Sequence, residues 1–291
     1  MGDFFFVLLT MPNSNSSSAN LFYIEKGNGP ETLLFIHGMG CNSAIWNSII
    51  NTLSKNYRCI AIDLPDHGKS INSNTSLSLT DVVEQIHHFI LQYQLDKSTL
   101  HLIGHSMGAQ ISIILAIRYP SLFTSQVLIA PAGVESYSKR EQAIIEASTK
   151  LLPFFSSEEQ IKTMLKLSWF NNNSTALNNY LKEIGKQENF SYQHYFKTIQ
   201  WSILAMLKEP VDSFLKSINI PTLIVFGEED KMIPNPLTKR SKTIEIAKNA
   251  QKQIANSSLL MIPKKGHFLP FEAENECISS IKSFLKDGSN M

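Results

Sequence analysis

Apolar residues fall along this chain in two alternating rhythms. Runs of four or five residues, rich in Ile, Val, Leu and Phe, occupy 32–36, 58–62, 100–103, 126–130, 222–226 and 258–262. Such short continuous runs bounded by turn residues predict buried strands. Longer stretches at 44–54, 81–94, 107–119, 236–255 and 272–285 repeat their apolar positions at the helical period. Strand then helix, repeated, predicts an α/β fold: a mostly parallel twisted sheet with crossover helices on both faces. In sheets of this kind the functional loops lie at the carboxyl ends of the strands.

One stretch breaks the alternation. Residues 134–215 show helical periodicity without a convincing strand, which predicts a helical cap (lid) inserted into a core domain made of 1–133 and 216–291. This insertion carries 12 of the chain's 28 Phe, Tyr and Trp residues. Packing of a small lobe on itself accounts for many of them. Those left facing the gap beneath favour an apolar ligand, and Trp169, Phe170 and Trp201, with Phe268 from the core, are the expected substrate-binding positions.

The N-terminal run Phe4-Phe5-Phe6-Val7-Leu8-Leu9 is far shorter than the ~20 residues a spanning helix needs. It is preceded by Asp3 and by no Lys or Arg, unlike a secretory signal. Phe6 stands where a myristoylation signal at Gly2 requires Ser or Thr. Two readings stay open: an edge strand pairing with 21–25, or a leader ahead of a start at Met11.

Composition narrows the function classes. With 291 residues and 43% hydrophobic content the chain can bury a large core. A net charge of +1 gives no electrostatic case for nucleic acid or an anionic membrane surface. Three cysteines, Cys41, Cys59 and Cys277, are odd in number and lack C-x-x-C spacing, arguing against a disulfide framework and a zinc site. Free thiols in a reducing, cytoplasmic compartment are expected, with no metal and no cofactor.

The chemistry concentrates at Gly104-His105-Ser106-Met107-Gly108, between a strand run and a helix run that Pro120 stops. Strand, sharp turn and helix form the setting of a nucleophile elbow. Side chains two residues to either side of so tight a turn would collide with neighbouring backbone, hence the glycines. The helix N-terminus beneath the serine supplies free N–H groups.

Four further motifs follow in order: His37-Gly38-Met39-Gly40 with Trp46; Asp63-Leu64-Pro65-Asp66-His67-Gly68-Lys69-Ser70; Gly227-Glu228-Glu229-Asp230 with Pro234; and Gly266-His267 before Glu272. With the elbow they make the chain resemble the α/β-hydrolase superfamily over about its whole length, in its cap-bearing esterase- and lipase-like branch of serine hydrolases. The resemblance implies Ser106 as nucleophile, His267 as base and Asp230 as the acid, in the family's order of Ser, Asp, His. It also implies an oxyanion hole from the backbone N–H groups of Met107 and Met39. Glu228 and Glu229 are expected at the surface, His37 as a structural histidine, and His67 and His105 in motif positions without proton transfer. His87, His88, His101 and His194 are assigned no role in catalysis.

Two departures stand out: Asp66 replaces a glycine, and Ala109 stands where another is common. Asp tolerates the left-handed backbone region, so the first is compatible with the same turn. A serine nucleophile argues against dehalogenases and epoxide hydrolases of this fold. The expected activity is hydrolysis of a small-molecule carboxylic ester with an apolar acyl or alcohol part, through an acyl-enzyme. Carbon–carbon bond hydrolases keep the serine but bind acidic substrates with a cap arginine, for which Arg140 is the candidate; a non-catalytic ligand-binding or scaffold member is the other alternative. Oligomeric state is left open.

Overall fold

The structure is a computed structural model that describes residues 21–70, 77–155, 157–168, 178, 180–181, 191–238 and 241–288. Seven strands, β1 (Tyr23–Lys26), β2 (Glu31–Ile36), β3 (Arg58–Ile62), β4 (Thr99–His105), β5 (Ser125–Ile129), β6 (Thr222–Gly227) and β7 (Ser257–Ile262), form one sheet in the order β1-β3-β2-β4-β5-β6-β7. Every neighbouring pair is parallel except β1 with β3. The segment expected near 21–25 is therefore the antiparallel edge strand β1, with Tyr23 opposite Ile62. The expected strand over Phe4 to Leu9 lies outside the described residues.

Helices α1 (Asn47–Leu53), α2 (Leu79–Gln92), α3 (Met107–Arg118), α4 (Lys139–Thr149), α5 (Glu158–Ser168), α6 (Tyr192–Lys208), α7 (Thr243–Gln253) and α8 (Glu274–Gly288) cover the sheet and fill the long connection from β5 to β6. The pleat explains the continuous apolar runs. On β2, Leu34 and Ile36 enter a core cluster shared with α2, α3 and α7, while Leu33 and Phe35 enter the opposite cluster with α1 and α8. With both faces covered, neither set can be polar. Each such fully buried side chain contributes about 1.5–3 kcal/mol. α3 lies deepest, buried from Met107 to Ala116, and so reads as apolar all round.

Two helix expectations need correction. The helix expected over 236–255 starts only at Thr243. Pro236 supplies no N–H, and Asn235 Oδ1 accepts the Leu237 N–H at 3.0 Å, a local turn that competes with helix. The helix expected over 272–285 is two pieces, a turn at Leu269–Glu272 and then α8. Glu272 is used otherwise, as described below.

The connection from β5 to β6 is tied to the core at its C-terminal end. Glu209, following α6, accepts the backbone N–H groups of Leu79 (2.7 Å) and Thr80 (3.0 Å) and so caps α2. Gln110 Nε2, from α3, donates to the Glu209 carbonyl at 2.7 Å.

All three cysteines are buried and unpaired, and burial pushes each thiol up to about 12. The native protein is therefore expected to give no fast reaction with Ellman's reagent at pH 8, and three equivalents after denaturation. A rapidly reacting thiol in the folded protein would contradict this packing.

Candidate active site

Ser106 sits between the end of β4 and the first residue of α3 with φ 54° and ψ −118°. A non-glycine residue held there costs on the order of 1–3 kcal/mol. The turn is held by four backbone hydrogen bonds: Ser106 N–H donates to Ile129 O at 2.9 Å, and the Ser106 carbonyl accepts from Ala109, Gln110 and Ala132. Gly104 and Gly108 make the approach possible. A Cβ on Gly108 would lie 2.2 Å from Ile36 O, and one on Gly104 would lie 2.5 Å from Ser112 Oγ.

His267 arrives from the loop after β7, and Asp230 from the turn after β6. The Ser106 hydroxyl donates to His267 Nε2 at 2.9 Å, and His267 Nδ1–H donates to Asp230 Oδ2 at 2.8 Å. Asp230 Oδ1 accepts the N–H groups of Met232 (2.8 Å) and Ile233 (3.0 Å), which aims the other oxygen at the imidazole. A carboxylate can only accept, so it selects the tautomer with the hydrogen on Nδ1 and a free lone pair on Nε2. Asp230 and His267 are buried, whereas Glu228 and Glu229 on the same turn are exposed.

The backbone around His267 is held from two sides. Glu272 accepts Gly266 N–H with Oε2 and Phe268 N–H with Oε1, both at 3.0 Å, so its carboxylate brackets the histidine. His105 Nε2–H donates to the His267 carbonyl at 3.0 Å. Burial pushes His105 down to about 3 and His37 down to about 4, so both are neutral donors at physiological pH. His37 accepts Leu64 N–H at 2.9 Å and donates to the Gly38 carbonyl at 2.8 Å, fixing the loop that carries Met39. Asp66 has φ 60°, the left-handed conformation its replacement of glycine requires.

Met107 opens α3 directly after Ser106, and Met39 lies in the loop after β2. Neither backbone N–H is taken up by an acceptor among the described residues. Tyr180 O–H donates to the Gly40 carbonyl at 2.7 Å, so the segment between β5 and β6 also presses on this loop.

Ser106 and His267 open onto a cavity of about 230 Å³. Its walls are largely aliphatic and thioether: Met39, Ile145, Ile203, Met206, Leu207, Met232 and Ile233. Among the described lining residues Tyr137 is the only Phe, Tyr or Trp, so Trp201 and Phe268, two of the four expected substrate-binding positions, do not line the cavity. Some of the described aromatics pack the segment instead, as where Phe196 meets Phe155 and Tyr195 edge-on. Trp201 is directed elsewhere: its indole N–H donates to Leu77 O at 2.5 Å, and it lines a separate pocket with Leu77 and Ser78. Phe268 is buried behind His267, edge-on to its ring, and does not line the cavity. Trp169 and Phe170 lie outside the described residues. Arg140 is exposed at the start of α4 and does not line the cavity. Sequence reasoning gave no role to Glu135 and Asn235, which carry no periodic or motif signal; it counted Tyr137 only among the aromatics of the insertion and Glu272 only as a motif position, because the reach of Glu272 is visible only in three dimensions.

Among the described residues no helix is long and apolar enough to cross a membrane, and no cluster of His, Cys, Asp and Glu suits a metal ion.

The chain is similar to known proteins over most of its length. The chain is 29% identical over 276 residues to the uncharacterized hydrolase YugF of Bacillus subtilis, spanning 92% of this chain and 94% of that protein. It is 26% identical over 271 residues to human monoacylglycerol lipase ABHD6, spanning 89% of this chain and 76% of the relative. Among solved structures, MenH from S. aureus superposes with a TM-score of 0.77 at 21% identity, covering 92% of this chain and 98% of that one. The family model for the alpha/beta hydrolase fold matches residues 31–274, from the first residue of β2 to the first of α8. With that match running through every parallel strand, the chain belongs to the alpha/beta hydrolase fold family.

Proposed function

We propose that the protein is a serine hydrolase of carboxylic esters with an apolar acyl or alcohol part, acting through an acyl-enzyme. The observation that carries this reading is the hydrogen-bond chain from Ser106 through His267 to Asp230, opening on a mainly aliphatic cavity. His267 Nε2 takes the serine proton as Ser106 Oγ attacks the ester carbonyl, and Asp230 stabilises the imidazolium that forms. The N–H groups of Met39 and Met107 donate to the tetrahedral oxyanion, each worth about 3 kcal/mol in such sites. The imidazolium then returns its proton to the departing alkoxide, leaving the acyl group on Ser106. Water, deprotonated by the same imidazole, completes hydrolysis.

In this reading residues 134–215 are a cap that supplies the cavity's upper wall. The relative named as a monoacylglycerol lipase supports ester cleavage. The carbon–carbon alternative gains nothing from Arg140, which lies away from the cavity. Three unpaired thiols agree with a cytoplasmic location.

The test is labelling with a fluorophosphonate, expected to be stoichiometric at Ser106, together with a rate series over p-nitrophenyl esters from acetate to octanoate. Each methylene accommodated by the cavity is expected to add roughly 0.8 kcal/mol to transition-state binding until the space is filled. Folded protein that takes no label is a non-catalytic member of the family. Equal kcat/KM for acetate and octanoate removes the apolar-acyl assignment.

A further inference from the structure

The Ser106 cavity has one distinctly polar corner, where Glu135, Tyr137 and Asn235 meet. Glu135 follows β5 and Asn235 follows the Asp230 turn, so two functional loops join here. Tyr137 O–H donates to Glu135 Oε1, and Asn235 backbone N–H donates to Oε2 at 3.2 Å. Asn235 Oδ1 is in turn occupied by the Leu237 N–H. The hydroxyl hydrogen of Tyr137 and the backbone N–H of Asn235 are both committed to the carboxylate, and the Asn235 side-chain amide donates to the Tyr137 oxygen, while each Glu135 oxygen keeps a lone pair to spare.

No Lys, Arg or His among the described residues forms an ion pair with Glu135. Burial and the nearby Asp230 charge push its carboxyl upward, and the two donors oppose that shift. The carboxylate holds two donors and, among the described residues, no cation, and so keeps capacity for a further donor on the cavity side. A ligand group that donates a hydrogen bond meets a waiting acceptor there; a ligand carboxylate meets another acceptor.

We propose that Glu135 makes this corner a donor-recognising subsite, so that the preferred ester carries a hydroxyl or ammonium group on the arm reaching it and carboxylate-bearing esters are rejected. The proposal rests on the esterase reading for its substrate, although its test does not depend on turnover.

In the Ser106→Ala background, calorimetry compares ethyl hexanoate, ethyl 6-hydroxyhexanoate, ethyl 6-aminohexanoate and monoethyl adipate at pH 7.5. The hydroxy or amino ester is expected to bind about tenfold more tightly than the adipate, the size of one hydrogen bond to a charged group. Adding Glu135→Gln should narrow that ratio to about twofold. Tighter binding of the hydroxy than the amino ester identifies a neutral alcohol, and the reverse identifies a cation; either order supports the subsite. Adipate binding as tightly as both donors overturns it, as does discrimination unchanged by Glu135→Gln. The ligand order in Ser106→Ala alone decides the question if the double variant fails to fold. Failure of the parent protein to cleave ethyl hexanoate counts against the esterase reading, and the affinity order still decides independently whether the corner recognises donors.

Discussion

Ser106→Ala is expected to lower kcat on an ester by about 10⁴- to 10⁶-fold, by analogy with serine protease triads, while leaving the thermal unfolding transition within a few degrees of the parent. The loss is large because Ser106 Oγ is the atom at the end of the chain through His267 and Asp230, 2.9 Å from the base. Fold is retained because the backbone bonds that hold the turn, from Ser106 N–H to Ile129 O and into the Ser106 carbonyl, do not involve the side chain. Steady-state rates on a p-nitrophenyl ester, with circular-dichroism melts of both proteins, make the comparison. A variant that keeps more than a tenth of the parent kcat would exclude Ser106 as the nucleophile.

The second large effect falls on one of three adjacent carboxylates. Asp230→Asn is expected to lower kcat by about 10³- to 10⁴-fold, and Glu228→Gln and Glu229→Gln to stay within a few-fold. The reason is the hydrogen-bond pattern at Asp230. Oδ1 accepts from Met232 and Ile233 N–H, so an asparagine keeps its oxygen there and turns its NH₂ toward His267 Nδ1. That orientation forces the hydrogen onto Nε2, and the imidazole can no longer accept the proton of Ser106. Glu228 and Glu229 are exposed and their carboxylates take no part in that arrangement. Should Glu229→Gln prove as damaging as Asp230→Asn, the acid assignment falls, and Glu135, on the loop after β5, is the next carboxylate to replace.

Much of the fold is legible before any coordinates because its signals are local. Six of the seven strands appear as apolar runs, since strands covered on both faces bury mainly apolar side chains, with a few hydrogen-bonded polar ones such as Thr32 and Gln126. The errors fall where short-range chemistry competes with periodicity. Asn235 and Pro236 delay α7 until Thr243, and Glu272 spends its carboxylate on the N–H groups flanking His267. Two of the expected aromatic positions, Trp201 and Phe268, miss the cavity for a related reason: a large ring adds the same apolar weight to a sequence whether it faces a cavity or a neighbouring helix. Only packing separates Tyr137, on the cavity wall, from Phe196, fully buried between Phe155 and Tyr195.

The sequence by itself determined the alternation of strand and helix, the sharp turn at Ser106 and the succession of motifs that places Asp230 and His267 on loops after strands. Those depend on backbone preference, glycine at positions crowded by neighbouring backbone, and apolar period, all written within a few residues. What tertiary structure decided lies at long separation. The hydrogen bonds joining Ser106, His267 and Asp230 span 161 and 37 residues, and the Glu135 contact with Asn235 spans 100. No local preference encodes such distances; they arise when the sheet order sets β4, β5, β6 and β7 side by side and brings the loops beyond their carboxyl ends into one cluster. Which side chains then line the cavity depends on how α4 and α6 settle over that cluster, and the same composition could have filled it with rings instead of methionine and isoleucine.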